Sequence, residues 1–107
     1  MYKEVVIGTK TVPMLANALT PKRAYEFFHE DFLCYLGQEL QQGQILDLAE
    51  KLGFIMAKRA ENADMTKVQE SDFDTWLEGF ELGDLMEASA DIVGLFVSTT
   101  KGSVAPK

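Results

Sequence analysis

Residues 44–62 read QILDLAEKLGFIMAKRAEN, and their spacing sets the architecture. Ile45, Leu48, Ala49, Leu52, Ile55, Met56 and Ala60 recur at the i, i+3, i+4, i+7 intervals of an amphipathic helix. Glu50, Lys51, Lys58 and Arg59 fall mostly outside that stripe. Gly53 sits in mid-helix, where glycine costs about 1 kcal/mol relative to alanine. Its presence predicts close approach of another element. Phe54 lies off the stripe, so the helix is expected to be covered on more than one side.

Before this helix, the stretch ALTPKRAYEFFHEDFLCYLG (18–37) reads as helix with many rings. Thr20 is placed to cap a first turn, with Pro21 at the first helical position. Ala24, Phe28, Phe32, Tyr35 and Leu36 keep helical spacing, and Tyr25 and Phe27 widen the face. His29-Glu30-Asp31 is a point where this helix can divide. Gly37 is a candidate end and Gly43 a second break. Further upstream, YKEVVIG has the β-branched residues of a strand, Gly8-Thr9 suits a tight turn, and KTVPML returns. Pro13 lacks a ladder donor, which confines the second strand to an edge.

Downstream, Ser71 is a candidate N-cap for a short helix whose apolar face is Phe73, Trp76, Leu77 and Phe80, ending near Gly79. A last helix carries Leu82, Leu85, Met86, Ser89, Ile92, Val93, Phe96 and Val97 at helical spacing. The expected architecture is mainly α: a small bundle of four to five helices with a short N-terminal β-hairpin over about residues 2–16. The helical domain is expected to extend to residue 100, with residues 101–107 as a flexible tail.

Composition limits the function classes. The 107 residues are 47% hydrophobic and 25% charged, with a formal net charge of −7. That apolar share can form a core without metals or disulfides. Phosphate backbones and anionic membranes repel so acidic a surface, so neither nucleic acid nor membrane is an expected partner. Cys34 is the sole cysteine, which fits a reducing compartment. The opening MYKEVVIGTKTV has no apolar run of signal-peptide length. The expected location is therefore cytoplasmic.

No pattern of reactive side chains stands out. Asp72/Asp74 and Asp84/Glu87 are carboxylate pairs, but acid–base catalysis needs one member in an environment that moves its pKa. These positions fall opposite the apolar stripes, where solvation is expected. His29 is the only histidine, and neither it nor Cys34 belongs to a cluster with metal-ligand spacing. Cys34, set among Phe32, Leu33, Tyr35 and Leu36, is expected to be a buried, inert thiol. The glycines are scattered singly, so no phosphate loop is present. No catalytic residue, cofactor or metal site is expected.

One charge pattern is uneven. Glu61, Asp64, Glu70, Asp72, Asp74, Glu78, Glu81, Asp84, Glu87 and Asp91 fall in an interval whose only base is Lys67. The C-terminal helices should therefore carry an acidic outer surface. Solubility alone accounts for such a surface; electrostatic steering of a basic partner is the functional reading.

Three stretches, MLANALTPKRAYEFFHEDFL, AEKLGFIMAKRAENAD and DFDTWLEGFELGDLMEASADIVGLF, resemble the small tail assembly chaperones of long-tailed phages, particularly those of phages and prophages of Gram-positive bacteria. Thr20, Pro21 and Arg23 match that family's opening, followed by Phe28 and Asp31. Ile55-Met56-Ala57-Lys58 and the set Phe73, Trp76, Leu77 and Phe80 match its later motifs. Ala24 separates Arg23 from Tyr25, where the family pattern has the two adjacent.

The resemblance implies a non-enzymatic role. It points to binding of the tape measure protein, a long helical chain with much apolar surface, and to recruitment of tail tube subunits around it. It further implies action in the host bacterial cytoplasm, absence from the finished virion, and in many members a longer frameshifted form of the same protein. A homo-oligomer is also compatible with it.

Holding an apolar client needs exposed apolar side chains within a charged exterior. Phe27, Phe54, Met86 and Phe96 are the candidate contacts, some of them expected to be partly exposed. Asp74, Glu78, Glu81, Asp84, Glu87 and Asp91 form the candidate acidic face. The alternative reading is a small acidic helical adaptor or inhibitor that binds a basic host protein through that face.

Overall fold

In the computed structural model, which describes residues 1–101, the long helix predicted from residues 44–62 is the centre of the molecule. The chain is mainly α, with an N-terminal antiparallel hairpin. Strand β1 (Tyr2–Ile7) pairs with β2 (Lys10–Leu15), and then come α1 (Leu19–Phe28), α2 (Gln42–Ala60), α3 (Glu70–Glu78) and α4 (Leu82–Ser98). Short 3-10 turns at Leu33–Tyr35, Met65–Lys67 and Thr99–Lys101 complete the order. The expected flexible tail lies outside the described residues except at Lys101.

The hairpin register places Val5 opposite Val12 and Ile7 opposite Lys10. Val5 and Ile7 point inward and are buried, while Val6 between them is exposed, the alternation a half-covered sheet demands. The turn holds Gly8 at φ +65°, a conformation costly for other residues. A side chain there would also run into the carboxylate of Asp84, so this glycine fixes how the hairpin meets the start of α4. Strand β1 packs on α4 and β2 on α2.

Helix α2 packs against α4, β2, α1 and α3. Every residue from Leu52 to Ala57 is buried, including Phe54, which meets Phe27, Phe73 and Trp76. Close approach at Gly53 is also present. A Cβ there would lie 3.3 Å from Trp76 Cη2, 3.4 Å from Ile92 Cγ2 and 3.5 Å from Met14 Cε.

Several expected boundaries move. Helix α1 begins at Leu19, because the side chain of Asn17 accepts the Leu19 amide at 2.9 Å and starts the turn earlier than Thr20. Thr20 instead lies buried inside the first turn, where its hydroxyl accepts the Asn17 amide. Gly43 does not break the chain; it belongs to the first turn of α2, where Gln41 and Gln44 form a reciprocal capping pair. The cap of α3 is Gln69, paired with Asp72, and Ser71 is helical.

Candidate functional site

The chain between α1 and α2 shapes the first candidate surface. His29 ends α1 in the left-handed region, φ 57°, and turns the chain away from helix. Phe32 is buried and anchors the segment, while Tyr35, Leu36 and Leu40 are half-buried. Cys34 is exposed, contrary to the expectation of a buried thiol. The break at His29 changes the periodicity, so Cys34 turns outward and its thiol donates to the Asp31 carbonyl at 3.0 Å.

A polar cluster ties this segment to α2. Lys51 Nζ donates to Glu30 Oε1 at 2.7 Å, and the Tyr35 hydroxyl donates to Glu30 Oε2 at 2.9 Å. Partial burial raises the Glu30 carboxyl, but the hydrogen bonds from Lys51 and Tyr35 outweigh it and hold the group below its ordinary value. For Lys51, partial burial lowers the ammonium and the bonds to Glu30 and Asp47 raise it, with a net upward shift.

Beneath the segment lies an apolar pocket of about 170 Å³. Leu36 and Leu40 line it from above, Leu48 and Leu52 from α2, and Val93, Phe96 and Val97 from α4. Val93 and Val97 belong to a longer flank of α4. Leu82, Met86, Val93 and Val97 recur at steps of four, seven and four, and so share one side of the helix. Leu82 is 59% exposed and Met86 38%. This flank is about 22 Å long at 1.5 Å per residue. It is apolar and open at the Leu82 end, and it runs into the pocket at the other.

The candidate contacts divide. Met86 is exposed, and Phe27 is half-buried. Phe54 and Phe96 are enclosed, at 0% and 2% exposure, so neither side chain is open to a partner in this conformation. Their rings fill the core because α2 and α4 are covered on several sides. Leu82 was missed as a contact although its place on the stripe was legible; its exposure was not. Of the six candidate acids, Asp74, Glu78, Glu81, Glu87 and Asp91 are exposed, and Asp84 is half-buried against the hairpin turn. Asp84, Glu87 and Asp91 step along one flank of α4.

A second, more open cleft of about 840 Å³ lies where α1 meets the end of α2. Phe27, Met65 and Val68 supply apolar lining, and Arg23 and Arg59 supply charge. Among the described residues, no group of three or more His, Cys, Asp and Glu side chains is placed to hold a metal ion. No described helix is long and apolar enough to cross a membrane.

Compared with known proteins, the chain matches no family model, no curated protein and no solved structure.

Proposed function

We propose that this protein is a tail assembly chaperone of a long-tailed phage. In this reading it binds the tape measure protein in the host bacterial cytoplasm, keeps it soluble while tail tube subunits are recruited, and is absent from the finished virion. The observation that carries the reading is the α4 flank of Leu82, Met86, Val93 and Val97, open at one end and continuous with an apolar pocket at the other. An amphipathic helix recognises such a surface through residues repeated every three to four positions. The resemblance of the three sequence stretches supplies the identity of the client. The exposed carboxylates of α3 and of the opposite side of α4 keep the complex soluble.

The exposed acids on α3 and α4 also favour a second reading, an adaptor that binds a basic host protein. Co-expression with a tape measure fragment separates the two. The chaperone reading predicts that an otherwise aggregating fragment stays soluble and co-purifies at about 0.5 M salt, where surface charge pairing is largely screened. Capture of a basic host protein that is lost at that salt, with no rescue of the fragment, supports the adaptor.

A further inference from the structure

Strand β1 has an open edge. The Ala16 amide donates to the Met1 carbonyl at 2.8 Å, and the Met1 amine donates to the Ala16 carbonyl. In this register the bonded pairs are therefore Met1/Ala16, Lys3/Met14, Val5/Val12 and Ile7/Lys10. Tyr2, Glu4 and Val6 aim their amides and carbonyls the other way, and these groups have no partner among the described residues. All three residues are exposed. The edge of β2 is blunted instead, because Pro13 holds one of its outward positions and has no amide to give.

Helix α4 runs beneath the open edge. Asp84, Asp91 and Ser98 are seven residues apart and share one side of the helix. Asp84 meets the turn at Gly8, and Ser98 Oγ lies 3.1 Å from Met1 Sδ. The row is about 21 Å long at 1.5 Å per residue, and Met1 to Gly8 spans about 23 Å at 3.3 Å per residue. Strand β1 therefore lies antiparallel to α4, with Asp91 midway along it and Glu87 one turn away, both exposed. Because α2 carries β2 and α4 carries β1, a strand added beside β1 lies over this outer side of α4. Glu4, Asp84, Glu87 and Asp91 take part in no ion pair among the described residues. The bases on β1 are Lys3 and the Met1 amine, both at the end away from Asp84, so the strip beside the edge is net acidic.

We propose that the open edge of β1 takes an extended basic segment of a partner protein as a third strand, with lysine or arginine side chains laid against Glu87 and Asp91. Strand addition of this kind draws affinity from backbone hydrogen bonds and selectivity from alternate side chains. Here one face of the added strand meets the α4 carboxylates, and the other lies beside Tyr2 and Val6. A second copy of the chain fits the edge poorly. The antiparallel register that pairs all three outward residues of each copy sets Glu4 directly opposite Glu4, and like charges so placed are destabilising. The proposal gives the basic partner of the second reading a place on the molecule, on the side of α4 opposite Leu82 and Met86.

The test is an amide chemical-shift and hydrogen-exchange titration of the full chain with a blocked seven-residue peptide alternating valine and lysine. The comparison ligands are the same peptide with glutamate for lysine, and two versions N-methylated on alternate residues, one at the valines and one at the lysines. Shifts are expected at residues 2–6 and 84–91, and the Glu4 and Val6 amides are expected to slow in exchange when the peptide binds. The glutamate peptide should bind about tenfold weaker or worse. Methyl groups on the side that meets β1 block pairing, so one methylated version is expected to lose at least about tenfold and the other to keep its affinity. Val6→Pro puts a proline in the open edge without removing a bond to β2, and is expected to lose the same factor with an unchanged circular dichroism spectrum. Should that variant not fold, the double variant Glu87→Gln, Asp91→Asn serves, and is expected to bind the lysine peptide several-fold more weakly. Equal binding of both methylated versions would leave only charge attraction and overturn the strand pairing. Equal binding of the glutamate peptide, shifts confined to other surfaces, or no binding would overturn it too. Concentration-dependent shifts at residues 2–6 in the free chain would assign the edge to a second copy, and Overhauser contacts from residues 102–107 to it would assign it to the chain's own end; either result overturns the proposal. None of these outcomes bears on the chaperone reading, which rests on the other flank of α4.

Discussion

Helix α2 and the segment from His29 to Gln41 are both rich in large apolar side chains, yet they end in opposite states. In α2 six consecutive residues, Leu52 to Ala57, are buried. In the segment only Phe32 is, while Leu33 stands 49% exposed and Cys34 faces solvent. The difference is continuity of the backbone. An unbroken helix presents every side to a neighbour, and α2 has α4, β2, α1 and α3 around it. The other segment leaves helix at His29 and takes only a short 3-10 turn. Its side chains therefore divide between an anchor below and a surface above. Apolar content does not by itself set burial; secondary structure decides which of those side chains find a partner.

The sharpest test of that contrast is truncation. Phe54→Ala empties a fully enclosed site ringed by Phe27, Phe73 and Trp76, and is expected to cost about 3–5 kcal/mol in urea unfolding. Leu33→Ala should change stability by less than about 0.5 kcal/mol. A similar loss at both positions would mean that the exposed segment is packed more firmly than its geometry indicates.

Next in size is Gly53→Leu. The neighbours, at 3.3 to 3.5 Å from where a Cβ would stand, already crowd a single methyl group. Overpacking is expected to cost about 1–3 kcal/mol despite the better helix propensity of leucine. A thermal melt that matches or exceeds the parent would show that α3 and α4 can withdraw from α2.

The smallest effect concerns the ties that hold the segment down. Lys51→Met removes the pair with Glu30, a contribution of about 1 kcal/mol at neutral pH for partly exposed groups. The Glu30 carboxyl is held below its ordinary value of 4.5, so its share is fully present above that pH and lost as pH falls through the folded value. Lys51 is shifted upward from 10.5, so its share is present below that pH and lost above it. The stability gap between parent and variant should be flat near neutrality and close below pH 4.5. A gap that persists in acid would assign the loss to packing of the lysine stem.

The same contrast explains how much of the fold was legible. The stripe of α2 and the hairpin turn could be read because each depends on near neighbours in sequence, and the close approach at Gly53 because a glycine in mid-helix is costly without one. The start of α1 was misplaced because the Asn17 side chain competes with Thr20 for the first turn, and spacing does not rank two nearby caps. Cys34 was misplaced because a left-handed His29 resets the period, and histidine carries no strong signal for that conformation. The cleft of Arg59 was hidden for a different reason. Its lining comes from residues 23, 59 and 65, and which acid pairs with which base is settled only by the fold.

If the open flank of α4 shields apolar surface on a partner, blocking that flank with charge must abolish protection. Light scattering of a tape measure fragment diluted from denaturant reads this out, with the parent chain compared against the double variant Leu82→Lys, Met86→Lys. The parent is expected to suppress scattering at stoichiometric amounts, and the folded double variant is not. Equal protection by both, or none by the parent, would refute the role given to the flank.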